Sequence, residues 1–147
     1  MKTAVPQATF DDVNLILQLY EMRRDDRLRE ARQWYAASFK PKSYDELVAI
    51  CPPGSEQNAS YRMVTSYWEM VASFVTSGVL NAELFFQSGR ELLFTWERLR
   101  DLVPAVRKAN NNPIEWKNLE TIANRYIEWW NAQAPGAYEA FSKRIRG

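Results

Sequence analysis

The chain contains no histidine. That removes the commonest general base, the commonest metal ligand and the side chain that titrates nearest neutral pH. It has one cysteine, Cys51, so an intramolecular disulfide is excluded and no Cys-rich zinc pattern exists. With no imidazole to deprotonate it, Cys51 reads as a structural thiol closing an apolar stretch. Only five glycines occur in 147 residues, and none builds a phosphate-cradling loop or a nucleophile elbow. No apolar run approaches the ~18 residues a membrane span requires. The opening MKTAVPQATF has one Lys and no apolar core of a secretory signal, so a cytoplasmic protein is expected. Lys and Arg number 19 against 18 Asp and Glu. A nucleic-acid surface would need a one-sided excess of cations, and none is expected here.

Aromatic side chains, by contrast, are plentiful: six Trp, seven Tyr and seven Phe. A chain of this length buries roughly 70% of its unfolded surface, enough for one core without metal or disulfide support. Apolar residues recur at helical spacing throughout, and Gly and Pro fall between the periodic stretches. The expectation is an all-α fold, an antiparallel bundle of about five to six helices around a central helical hairpin. Residues 1–8 read as a flexible arm and residues 9–147 as a single helical domain.

The centre is the stretch from Tyr61 to Val103. Val64, Trp68, Val71 and Val75 stack on one side of a helix, widened by Tyr67, Met70 and Phe74. Gly78 stops that helix, and Asn81 caps the next, with Leu80 and Phe85 spaced as a hydrophobic staple. So short a connection predicts antiparallel neighbours. The second helix carries Leu84, Phe85, Leu92, Trp96, Leu99 and Val103 in phase across Gly89, so it reads as one helix, bent at Gly89. A break with Ser88 as a new cap is the alternative. Pro104 should end or kink it near Leu102.

Upstream, Thr9 caps a long helix running to about Phe39, with Asp11 and Asp12 in its first turn. Its mixed-charge middle, Arg23 to Arg32, reads as a solvated face with Asp25 and Arg29 as an i,i+4 pair. Ser43 and Glu46 form a capping box for a short helix ending at Cys51. Downstream, Asn112, Pro113 and Glu115 open a helix whose apolar positions fall on two faces. One face carries Leu119, Ile122, Tyr126 and Trp129; the other carries Trp116, Ala123, Ile127 and Trp130. The second face must meet either the terminal helix around Tyr138 and Phe141 or another subunit.

YWEMVASFVTSGVLN, the RELLFTWERL segment and NNPIEWKNLETIA follow one another over roughly Ser60 to Tyr126. In this order they resemble DUF4760, a family of uncharacterised bacterial helical proteins. The resemblance implies a helical fold and carries over no catalytic residue. Some members of that family resemble membrane-anchored proteins with an N-terminal span, which is not found in this sequence.

Three functional expectations remain. The first is a non-catalytic interaction module that self-associates, most simply as a dimer, through Phe86, Phe94, Trp116 and Trp130, which lie off the main stripes. The second is a small-molecule binder with an aromatic pocket drawn from Tyr67, Trp68, Phe74, Phe85, Phe86, Phe94 and Trp96. The third is a divalent-metal enzyme using Glu69, Glu97 and Glu120. Bundle metal sites usually include a Glu-x-x-His, and this chain has no His, so no metal or other cofactor is expected. Those acids should instead pair with Arg90, Arg98 or Arg125 at the edge of the core. The residues expected to form a polar cluster or pocket are therefore Trp68, Glu69, Arg90, Trp96, Glu97 and Glu120.

Overall fold

The computed structural model describes residues 6–147; residues 1–5 of the expected arm lie outside the described residues. The described chain is helical throughout, with no strand. In order come α1 (Phe10–Met22), α2 (Asp26–Ser38), α3 (Tyr44–Ile50), α4 (Glu56–Thr76), α5 (Ala82–Phe86) and α6 (Arg90–Leu99). A 3₁₀ turn (Arg100–Leu102), α7 (Val103–Ala109), α8 (Lys117–Gln133) and α9 (Ala137–Arg146) follow. The all-α expectation holds. The helices outnumber the five or six expected because the first long periodic stretch is broken once and the second twice, at Gly89 and at the 3₁₀ turn.

The first break separates α1 from α2. The Asp25 carboxylate accepts the Leu28 N–H at 3.2 Å and so starts a new helix. Arg32 Nη1 donates to the freed Arg23 carbonyl at 3.0 Å. The expected pair between Asp25 and Arg29 is replaced by Arg29 with Asp26 at 3.1 Å, because Asp25 is spent as the cap. At the head of α1, Thr9 is the cap as expected. Its N–H and hydroxyl donate to Asp12 Oδ2 at 2.8 and 3.2 Å.

The second break separates α5 from α6. Gly89 is buried, and a β-carbon there would stand 2.4 Å from the Phe85 ring. The chain turns so that this ring can close over the glycine. The break falls where the Ser88 alternative put it. Gly89 and not Ser88 holds the cap position, however, and it offers no side-chain cap.

Two turns follow the sequence closely. Gly78 adopts φ +83° at the end of α4, the left-handed stop that glycine supplies at no steric cost. Asn81 then accepts the Leu84 N–H at 2.9 Å. Beyond α6, Pro104 sits in the first turn of α7 behind the 3₁₀ turn, so the predicted kink is present.

α4 is the axis of the fold. It packs chiefly against α8 and against α2, and less extensively against α6. The expected α4–α6 hairpin is thus a minor contact within a three-sided arrangement, because the second break redirects the chain after only five residues of α5. Trp68 is fully buried and Trp96 is 5% exposed.

The start of α8 departs from expectation most. Asn112 to Glu115 forms a hydrogen-bonded turn, with Asn112 Nδ2 donating to Glu115 Oε2 at 2.8 Å. The helix begins at Lys117, after Trp116 in a left-handed conformation at φ +56°. Few non-glycine residues adopt that geometry. Here it turns the indole inward, where Trp116 is buried edge-on to Tyr61 with ring centres 6.2 Å apart.

Candidate functional site

The three candidate carboxylates take separate structural duties. Glu69, on α4, caps α8 from outside that helix. Its Oε2 accepts from the N–H and side-chain amide of Asn118 at 3.3 and 2.8 Å, and its Oε1 accepts the Leu119 N–H at 2.8 Å. Trp116 provides no side-chain cap at that helix start, and a carboxylate there also suits the positive end of the helix dipole. Glu97 is buried under α9. The Tyr138 hydroxyl donates to its Oε1, and Arg100 donates to its Oε2 at 3.4 Å and to the Tyr138 oxygen at 2.9 Å. Burial first, and then the Glu97 carboxylate, push the Tyr138 hydroxyl above its ordinary pKa. Glu120 pairs with Arg107 at 3.2 Å. Among the described residues no three acidic or cysteine side chains gather as metal ligands.

The expected arginine partners are therefore replaced. Arg98, which was expected to pair with an acid, serves backbone carbonyls. Its Nη1 donates to Tyr35, Ala36 and Phe39 at 3.0–3.3 Å and its Nε to Ile145 at 3.3 Å. It closes the C-terminal end of α2 and ties it to the end of α9, where a cation is favoured by the helix dipole. Arg90 sits with its guanidinium carbon 4.4 Å from the Trp130 ring centre. Among the described residues no carboxylate pairs with it.

The four aromatics expected at an interface find neighbours within the chain. Phe86 and Trp116 are buried. Phe86 packs on Tyr126 and Trp129 at 4.8 and 5.7 Å between ring centres. Trp130 is half-buried against Phe141 of α9 at 5.4 Å, so the second face of α8 meets the terminal helix. Phe94, half-buried, lies under the Arg98 guanidinium at 4.7 Å. Their distance from the main stripes signalled a second layer of core, which a sequence pattern alone cannot tell from a subunit contact.

A stripe of exposed apolar side chains lies on α1 instead. Phe10 is 88% exposed, Val13 41%, Leu17 59% and Tyr20 55%. The opposite side of α1 is tethered: Leu19 is buried, its carbonyl accepts the Tyr67 hydroxyl at 2.6 Å, and Asp12 Oδ1 accepts the Asn81 N–H at 2.8 Å. These two backbone hydrogen bonds to Thr9 and Asn81 hold the Asp12 carboxyl below its usual range. Val13, Leu17 and Tyr20 recur at helical spacing in the sequence, but periodicity does not say which apolar face stays uncovered.

Two concavities are open to ligands. A broad groove of about 1030 Å³ runs between α3, the first half of α4 and the Asn110–Trp116 turn. Its wall includes Cys51, whose thiol burial pushes up to about 11, far from a thiolate nucleophile at neutral pH. A smaller cavity of about 320 Å³ lies between α2, α4, α6 and α9. Trp68 and Phe94 line it, together with Tyr35 and Phe141, and Arg32, Arg90 and Glu91 are its charged residues. Of the seven aromatics expected around a pocket, the other five serve elsewhere. Tyr67 bonds α1, Phe85 covers Gly89, Phe86 and Trp96 are core, and Phe74 is half-buried beside it. No helix among the described residues is long and apolar enough to cross a membrane.

Comparison with curated proteins and with solved structures gives no match. The model of one family, Domain of unknown function (DUF4760), matches residues 8–126. That span reaches from the arm before α1 into the middle of α8 and includes the capping of α8 by Glu69. The chain belongs to the DUF4760 family.

Proposed function

We propose that this protein is a non-catalytic helical interaction module that self-associates as a dimer through the outer face of α1. The observation that carries this reading is the exposed stripe Phe10, Val13, Leu17 and Tyr20. Its steps of three, four and three residues read the same in both directions. Two α1 helices related by a two-fold axis and running antiparallel would set Phe10 of each copy against Tyr20 of the other, and Val13 against Leu17. A two-fold interface requires such a self-complementary patch.

The neighbours of the stripe favour a protein partner over a lipid surface. Interfacial membrane helices are rich in Lys and Arg on the polar face, whereas α1 carries Asp11, Asp12 and Glu21 and no basic residue. Asn14 and Gln18, beside the stripe, are uncharged and bring no repulsion to a two-fold contact. At 13 residues, α1 is about 20 Å long. Its four side chains would form the apolar centre of an interface whose rim comes from neighbouring surface.

Each carboxylate that could have served catalysis is already engaged with a structural partner, which supports a non-enzymatic role. The free Cys51 thiol and the resemblance to a bacterial family accord with a bacterial cytoplasmic setting. The near balance of charge gives no reason to invoke a nucleic-acid partner.

Sedimentation velocity tests the reading. The wild-type chain is expected to sediment as a dimer at micromolar concentration, and Leu17→Arg as a monomer with unchanged helix content. A wild-type monomer at about 100 μM, a concentration at which even a weak specific pair would be populated, would overturn it.

A further inference from the structure

The cavity of about 320 Å³ between α2, α4, α6 and α9 carries an inference independent of self-association. We propose that it binds a small organic anion: an apolar, ring-sized body bearing one carboxylate. Three observations converge on that class.

The first is an unspent donor. Three residues among those described have buried side-chain nitrogens without a hydrogen-bond partner: Trp68, Trp129 and Arg146. Only Trp68 lines this cavity, and it is fully buried. Native structures seldom leave a buried N–H unpaired, and an indole N–H can only donate.

The second is that the other polar groups of the wall, Arg90 apart, are already committed. The Tyr35 hydroxyl donates to the Thr95 carbonyl at 2.7 Å, and the Thr95 hydroxyl to the Glu91 carbonyl at 3.0 Å. Glu91 is held by Arg32 through contacts of 2.9–3.0 Å, with Arg23 a further 3.9 Å away. Glu91 is therefore neutralised twice over, and the cavity keeps a positive balance. Arg90 is exposed and faces Trp130, with no carboxylate partner among the described residues. What the wall can still offer is donors and positive charge, so an acceptor with negative charge is the complement.

The third is shape. Tyr35, Val64, Phe94 and Phe141 supply apolar wall from four helices. Phe94 is fixed by the guanidinium stacked on it. The volume lies at the small end of the ~300–1,000 Å³ common for ligand sites, suited to one ring with a short acidic chain.

3-Phenylpropionate is a probe of that class, and 3-phenylpropionamide is its uncharged counterpart. Both would be titrated into the full chain while the indole N–H resonances are followed, with the Trp68 signal assigned by its loss in Trp68→Phe. The acid is expected to shift the Trp68 N–H saturably, and the amide to bind at least about tenfold more weakly, the scale of one lost charge contact. Arg90→Gln, an exposed change that leaves the core intact, is expected to weaken the acid by a similar factor and the amide hardly at all. Leu17→Arg, which disrupts only the α1 face, should bind the acid like the wild type. No movement of the Trp68 resonance at about 5 mM acid, near the weak limit of specific binding, would overturn the proposal. So would equal affinity for acid and amide.

Discussion

Glu69 Oε1 and the backbone nitrogen of Leu119 stand 2.8 Å apart across a gap of 50 residues in the chain. The contact joins the middle of α4 to the first turn of α8. It replaces the local cap that Asn112 was expected to supply, and it lets Trp116 occupy its left-handed turn. The most extensive helix–helix contact of the fold is thus also the one sealed by a carboxylate at a helix end.

Glu69→Ala should lower unfolding stability by about 1–3 kcal/mol, combining a lost helix cap with unpaired N–H groups at a packed junction. Glu69→Gln keeps an acceptor oxygen and should cost clearly less. Urea titrations of both variants measure this. Equal midpoints for wild type and the alanine variant would show that α8 finds its own cap.

Gly89→Ala places a methyl group within 2.4 Å of the Phe85 ring. The backbone there, at φ −98°, is open to any residue, so the cost is steric. Overpacking of this kind costs about 1–3 kcal/mol. Phe85→Leu in the same chain should return part of that loss, and a double-mutant cycle reads the coupling. Additive effects would place the strain elsewhere.

Alkaline pH should loosen the core in a defined window. Burial is the first cause that raises the hydroxyls of Tyr35, Tyr61, Tyr67, Tyr126 and Tyr138 above the ordinary 10.0. The folded state therefore favours the neutral phenol. That contribution is whole below the unfolded value and is lost as pH climbs from it toward the folded values. The denaturant midpoint should be flat up to about pH 9 and fall beyond about pH 10. Tyrosinate absorbance should show these five phenols ionising only together with unfolding. Early ionisation of these five tyrosines in the folded protein would contradict the packing described.

Helix positions and the identity of the core were largely legible in the sequence, because apolar spacing and caps are local signals. Ser43, Gly78 and Asn81 act where their residue types predict, and Trp68 and Trp96 are buried as their stripe implies. The breaks were less legible. Arg23 to Asp25 and Gln87 to Gly89 interrupt stripes that remain in phase, and each is decided by a tertiary event: Arg32 reaching a freed carbonyl, and the Phe85 ring settling on a glycine. The partners of Glu69, Glu120 and Arg98, and the Tyr138 partner of Glu97, were out of reach for the same reason, since each lies on another helix or on a backbone group that becomes available only when a helix ends. The candidate interface moved from Phe86, Phe94, Trp116 and Trp130 to α1 because apolar stripes look alike on paper until a neighbour covers one of them.

The stretch matched by the family stops at Tyr126, halfway along α8, whereas Phe141, which walls the small cavity, belongs to the tail beyond it. One wall of the cavity is thus encoded outside the stretch that carries the rest of its lining. A relative could exchange its final helix for another and alter what the cavity admits, while leaving the junction of α4 with α8 untouched. Any replacement would still have to cover the buried Glu97, which Tyr138 of α9 now holds.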